Sequence, residues 1–380
     1  MSGPLSGLKV VEFAGLGPGP FCGMMLADHG AEVIRIDRLG PRAGISAAER
    51  DVMNRSRKSI SVDLKSAEGK ALVIGLCKTA DAVFEGFRPG VMERLGLGPD
   101  VLMAVNPRLV YGRMTGWGQD GPYAGMAGHD INYIALSGAL HGCGRVGQRP
   151  TPPLNLVGDF GGGGMMLAFG LVAAMLHAKQ TGQGQVVDCA MTEGSAVLMA
   201  MMYSLYAHQR WIDRRGVNII DSGAHFYDAY ETKDGKHIAL GAVEPQFYRE
   251  LLERIGLAGD ETFEVQNDPS LWPEQKAKLA THFLSKTQAE WMRILEMTDS
   301  CFAPVLSLEE APQHPHNLAR QAFVAVDGVI QPAPAPRYSR TVNTAPSPMR
   351  SGADVTRQVL LEKGYREGEI ARLRDRNIVA

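Results

Sequence analysis

The sequence predicts an α/β fold built on an open, mostly parallel sheet, with a smaller α+β domain. Three features carry the prediction: strand-sized apolar runs alternating with helical segments over the first third, a Gly- and Ala-rich helical middle, and a hairpin signal after residue 225. Such alternation buries a parallel sheet between two helical layers. In order, residues 8–13 form an apolar run. Residues 21–29 read as a helix opened by Pro18 and Pro20 and closed at Gly30, and residues 32–37 alternate like a strand. A strand follows at 60–64, a helix capped by Ser66 runs to Thr79, and further strands lie at 82–87 and 109–114. Residues 160–208 are helical apart from a short strand at 185–189, with Gly182 stopping the first helix. Residues 226–232 and 237–241 flank Lys233-Asp234-Gly235-Lys236, where Asp-Gly is expected to supply the positive φ angles of a tight hairpin turn. Helices at 247–255 and 273–285 follow. The Pro-rich stretch 331–336 reads as an extended linker, and an amphipathic segment at 354–374 is free to return to the first domain. The expected division is a large domain at 1–200, a connecting segment at 201–224, a small domain at 225–325, and a linker with a C-terminal helix at 326–380.

A chain of 380 residues is comfortable for two domains and can bury a large core. Its net charge of −2 gives no reason to expect nucleic acid or a membrane surface as partner. Five cysteines, Cys22, Cys77, Cys143, Cys189 and Cys301, show no paired spacing, so neither a metal site nor a disulfide framework is expected. The opening residues lack the basic start and apolar core of a signal peptide. No apolar stretch is read as reaching the ~20 residues of a membrane helix, the nearest lying at 165–177. Asn377-Ile378-Val379-Ala380 is not a peroxisomal tripeptide of the S-K-L type. With these features a reducing cytoplasm is the expected location.

Gly15-Leu16-Gly17-Pro18-Gly19-Pro20 follows an apolar strand, with Asp37 some 20 residues on, and so mimics the dinucleotide fingerprint. It fails in detail. Pro20 stands where the third glycine would permit close packing, and two prolines remove N–H donors where a pyrophosphate would sit. The turn still marks the edge of a ligand cleft, because open α/β sheets bind ligands beyond the carboxyl ends of their strands. Arg38, Arg88 and Arg94 fall at or just beyond such ends, and their planar forks suit phosphate oxygens; surface loop arginines are the plainer alternative. Arg55, Arg57 and Lys58 add positive charge before the strand at 60–64, although a charge run of this kind is usually a solvated edge.

His129 and Asp159 lie in compact Gly-bounded segments, Gly128-His129-Asp130-Ile131-Asn132-Tyr133 and Gly158-Asp159-Phe160-Gly161-Gly162-Gly163-Gly164. Each has a structural alternative, a capping or core histidine and a helix N-cap. One imidazole and one carboxylate also suit removal of a proton from one face of a carbon and its return on the other. Histidine needs little tuning for this, whereas an aspartate must be raised by burial, which the apolar run after Asp159 can supply. The methionines at 165, 166, 191, 199, 201 and 202 read mostly as core; any that line a channel would favour tolerance of varied ligand shapes.

Several long, ordered segments resemble the bacterial α-methylacyl-CoA racemases of the class III CoA-transferase (CaiB/BaiF-like) superfamily. They are residues 3–12, 32–38, 88–91, 113–119, 128–133, 155–163 and 241–248. The resemblance implies a Rossmann-like large domain made from both ends of the chain, a smaller domain, and an interlocked homodimer. It implies an acyl-CoA thioester substrate and no separate cofactor, the CoA being part of the substrate. By matching positions it places Arg38, Val62, Asp63, Leu64, Lys65, Gly86, Phe87, Arg88, Pro89, Gly90 and Arg94 around CoA, with Gly128, Ile131, Asn132 and Tyr133 also against the substrate. It makes His129 and Asp159 the two bases and puts Glu244 behind His129, from the partner's small domain. The backbone N–H of Asp130 is the candidate donor to an enolate oxygen, its side chain an alternative helix cap. The competing activity is CoA transfer, with Asp159 carrying the acyl group as an anhydride.

Overall fold

The structure, a computed structural model, describes residues 3–40 and 51–380; Met1 and Ser2 of the opening segment lie outside the described residues. The chain forms two compact units. The first comprises Met1–Ser137, Leu154–Leu198 and His316–Ala380, the second Gly138–Pro153 and Met199–Pro315.

The first unit is built on strands β1 (Lys9–Phe13), β2 (Glu32–Asp37), β3 (Lys58–Ser61), β4 (Ala82–Glu85), β5 (Val110–Thr115) and β6 (Val186–Ala190). Their order is β3-β2-β1-β4-β5-β6, and every neighbouring pair is parallel. Successive side chains point to opposite faces, and both faces are apolar, as a sheet covered on both sides requires. Val10, Val33, Phe84 and Val110 join Leu26 and Leu171, from the helices Pro18–Asp28 and Met166–Thr181, in one core. Val11, Ile34, Val83 and Tyr111 join Leu72, Val359 and Ile370, from Ala67–Cys77, Ala353–Glu362 and Glu367–Asp375, in the other. Burying each such aliphatic or aromatic side chain contributes about 1.5–3 kcal/mol. Ser66 caps its helix as expected, its Oγ accepting from the Gly69 amide at 3.0 Å.

Strand order reverses between β1 and β4, and the crevice beyond their carboxyl ends is where such sheets hold ligands. Segment 62–65 leaves the sheet beyond β3 and is tied to the C-terminus, where the Asp63 amide donates to the Ile378 carbonyl at 2.9 Å.

Several expectations are corrected. Arg55 and Arg57 are not a solvated edge but are buried in ion pairs, Arg55 with Asp28 and Arg57 with Glu12, the latter shared with Arg35 at 2.9 Å. Carboxylates 27 to 45 residues away in sequence neutralise them, which local composition does not reveal. The Pro-rich linker begins as a strand: Val329–Pro332 pairs antiparallel with Phe323–Val326, and Gln331 accepts from Arg55. The final segment is two helices rather than one, broken at Lys363 and Gly364. A π-helix, Leu156–Met165, leads into Met166–Thr181, and together they form 26 helical residues long and apolar enough to cross a membrane by length and composition. Sequence inspection had missed this because Asp159 and the glycines interrupt the apolar run.

The second unit contains β7 (Tyr227–Glu231), β8 (His237–Gly241) and β9 (Phe302–Val305), antiparallel in that order. Helices Pro245–Ile255, Trp272–Phe283 and Gln288–Leu295 pack on it around Phe226, Trp272, Phe283 and Trp291. The hairpin turn differs from expectation. Only Gly235 has positive φ, at 72°, and its amide donates to the Thr232 carbonyl, so the loop follows the three-residue pattern with glycine in the left-handed position.

Candidate active site

Beyond the carboxyl ends of β1, β4 and β5 the chain makes three short loops, 14–17, 86–90 and 116–118. Residues 15–17, 86–89, 116 and 117 of these loops, together with Gly128, His129, Tyr133, Asp159 and Met191, line a cavity of about 510 Å³. Its floor is thus the point where strand order reverses. The second unit has a larger cavity, about 990 Å³, but the smaller one gathers the imidazole and carboxylate singled out from the sequence.

His129 stands immediately before the helix Asp130–Leu136, in extended backbone geometry. Asn132 fixes this turn: its Oδ1 accepts the His129 amide at 3.0 Å while its own amide donates to the His129 carbonyl at 2.8 Å. The imidazole is exposed, so the core alternative falls away. Tyr133 secures the preceding residue by donating its hydroxyl to the Gly128 carbonyl, and its ring meets Trp117 edge-on at 4.8 Å between centroids.

Asp159 lies in the first turn of the π-helix. Its Oδ2 accepts from Asn155 Nδ2 at 3.0 Å. Gly17, with φ 61°, approaches so closely that a Cβ there would stand 3.0 Å from that same oxygen. The glycine run lets the π-helix pack tightly, with Gly162 against Ser195 and Gly164 against Phe21. The Asp130 side chain is not a helix cap. It is buried, and its Oδ1 accepts the Asp159 amide at 2.8 Å, joining the two segments directly. Among the described residues Asp130 Oδ2 has no hydrogen-bond partner.

Burial raises the Asp159 carboxyl above its ordinary range. The Asn155 hydrogen bond opposes this, the Asp130 charge reinforces it, and the His129 charge again opposes it. The two candidate bases are therefore electrostatically coupled across one cavity. Tyr133 is raised by burial and by Asp159, against Arg88.

The cavity brings together His129, Asp159, Gly86, Phe87, Arg88, Pro89, Gly128 and Tyr133. Its walls do not include Arg38, Arg94, Gly90, Asp130, Ile131, Asn132 or the 62–65 segment. Arg38, Lys65 and Arg94 are exposed at carboxyl ends of the sheet, whereas Val62 is buried and belongs to the core. Glu244 is exposed in the second unit, at the N-cap of Pro245–Ile255, where its side chain makes no capping hydrogen bond. Sequence reasoning missed Asn155, Gly17 and the side-chain role of Asp130. The i,i+4 spacing of Asn155 and Asp159 was the available signal for the first.

The sequence matches CoA-transferase family III over residues 5–353. It is 47% identical to the α-methylacyl-CoA racemase of Mus musculus over 379 residues, covering 99% of this chain and 97% of that one. Identity to the Homo sapiens α-methylacyl-CoA racemase is 44% over 380 residues, with the same coverage. Among solved structures, a CAIB/BAIF family protein from Brucella suis superposes with a TM-score of 0.79, covering 96% of this chain and 100% of that chain, at 24% identity, which speaks for the fold alone. With family and relatives matched over nearly its whole length, the chain belongs to CoA-transferase family III and is an enzyme of its racemase and CoA-transferase kind.

Proposed function

We propose that the enzyme interconverts (2R)- and (2S)-2-methylacyl-CoA thioesters by 1,1-proton transfer through an enolate, with His129 and Asp159 as opposing bases. The observation that carries this reading is that both face one cavity while burial favours the protonated form of Asp159. In one direction neutral His129 takes the α-proton, the electron pair enters the enolate, and protonated Asp159 returns a proton to the opposite face. The product complex holds imidazolium and carboxylate, and the reverse direction starts from that state. A thioester α-proton is weakly acidic, so the enolate oxygen needs a donor; the Asp130 amide at the start of its helix is assigned that role. Neither step calls for a metal or redox cofactor.

Arg38, Arg88, Arg94 and the 62–65 segment are assigned to CoA, the large unit acting as a Rossmann-like CoA-binding domain. The strand order supports this, being that of dinucleotide-binding sheets. Glu244 is assigned to the second imidazole nitrogen of His129, from the partner of an interlocked homodimer. An exposed stripe supports a second copy: Met165, Phe169, Val172 and Leu176 recur at helical spacing, and Phe169 is 73% exposed.

CoA transfer through an acyl-Asp159 anhydride is the competing reading. A single enantiomer of a 2-methylacyl-CoA in deuterated buffer, with and without a free carboxylic acid, separates the two. Inversion with deuterium at the α-carbon, independent of acceptor, is the racemase result. Acceptor-dependent movement of CoA without exchange would establish the transferase.

A further inference from the structure

We propose that Glu85, Arg113 and Glu93 form a clamp that holds the 86–94 segment in position to grip CoA phosphates, with Glu85 and Arg113 as positioning residues. The ligand named here rests on the CoA reading above.

Glu85 and Arg113 are paired across β4 and β5, and both are buried in strands that are otherwise apolar. Charges at such places are costly unless each is satisfied. Here one contact joins the two strands and the others lead out of the sheet, to Phe87 and to Glu93. Glu85 Oε2 accepts the Phe87 amide at 2.6 Å, and Oε1 accepts from Arg113 Nε at 3.3 Å. The terminal nitrogens of Arg113 reach Glu93, Nη1 to Oε1 at 2.8 Å and Nη2 to Oε2 at 3.2 Å. One guanidinium thus spans a strand carboxylate and a carboxylate on the helix Val91–Leu95.

What lies between these anchors is the ligand-facing stretch. Arg88 and Pro89, next to the bonded Phe87 amide, line the cavity, and Arg94 follows Glu93 directly. Arg94 folds back over the loop, its Nη1 3.1 Å from where a Gly90 Cβ would stand. On the far side, the Tyr111 hydroxyl donates to the Leu97 carbonyl at 3.1 Å and closes the segment.

Two carboxylates share one guanidinium, and burial pushes Glu85 up to about 7, against the Phe87 amide and Arg113. The ionisable groups facing it are Arg113 and Tyr111 from β5 and Glu93 from the helix. Above about pH 7 the ionised carboxylate accepts from both donors and the clamp is closed. Below that pH a proton on one oxygen competes with these contacts and loosens the loop.

Calorimetric titration of CoA into the full-length protein, with steady-state kinetics on a 2-methylacyl-CoA, tests the clamp. Glu85→Gln is expected to weaken CoA and raise KM about tenfold while kcat falls less than threefold. Wild-type affinity is expected to drop between about pH 8 and pH 6, and Glu85→Gln to keep only the shallower dependence that ionisation of the CoA phosphomonoester itself imposes. Arg113→Lys should restore part of the affinity lost in Arg113→Met; where Arg113→Met fails to fold, Glu93→Gln supplies the second arm. CoA binding and pH dependence equal to wild type in Glu85→Gln overturn the clamp alone. A wild-type protein that does not bind CoA overturns the CoA reading and the clamp's ligand together.

Discussion

Asp159 in the first unit and Asp228 in the second are both largely withdrawn from water, yet they are pushed in opposite directions. Around Asp159 the one side-chain donor is the Asn155 amide and His129 acts only through its charge, and burial wins, so the carboxyl is held up. Burial also acts on Asp228, but hydrogen bonds from Arg145 at 2.5 Å and Lys276 at 2.9 Å outweigh it and hold the carboxyl down. Burial alone does not make an acid. A fixed cation on the carboxylate decides which way the balance falls: Asp228 is held by two and Asp159 by an amide, so burial prevails only at Asp159.

The strongest way to break the comparison is to remove the exchanging groups. His129→Ala and Asp159→Ala are each expected to lower racemisation about a thousandfold while leaving CoA affinity nearly intact. Loss of CoA binding in both, measured by calorimetry, would assign them to the fold instead.

In the second unit, His225 sits fully buried near the same Lys276, bonded to the Tyr248 hydroxyl at 2.8 Å. Burial, then Lys276, lowers it to about 4. The unfolded chain therefore binds a proton first, and stability is lost as pH falls from about 6.5 toward 4, on the order of 3 kcal/mol. Thermal melts across that window should show the loss in wild type and a flatter profile in His225→Gln.

Lys276→Met leaves Asp228 with one cation and should cost about 1–3 kcal/mol in denaturant unfolding at neutral pH. Because the folded Asp228 carboxyl is depressed, its contribution is present above the unfolded value of about 3.9 and fades as pH falls through the lower folded value. The penalty should therefore shrink in strong acid.

The smallest effect concerns tuning. Asn155→Leu removes a donor that favours ionised Asp159, so the form able to donate a proton should persist to higher pH. The alkaline limb of kcat/KM in the direction that begins with protonated Asp159 should move to higher pH.

The parallel strands were legible because uninterrupted apolar runs of strand length between helical signals have few other uses; β1, β2, β4, β5 and β6 lie within two or three residues of expectation. The site was legible where chemistry sits in one short segment, as with His129 and Asp159. What could not be read is chemistry assembled across distance. Nothing local to Arg57 names Glu12, and nothing near Glu85 names Arg113, 28 residues on. Yet Glu12, Arg35, Glu85 and Arg113 are charges set next to apolar residues in strands of one sheet, and a charge in a doubly covered strand signals a distant partner. The excursion Gly138–Pro153 into the second unit carries no comparable mark.

The bond from the Asp159 amide to the Asp130 carboxylate gives the molecule a built-in spectroscopic reporter. An amide proton held at short range by a carboxylate is strongly deshielded and slow to exchange. Its resonance sits on the backbone of Asp159 and senses the helix that begins beside His129. Following it through a pH titration would report the protonation of Asp159 without any label on the substrate.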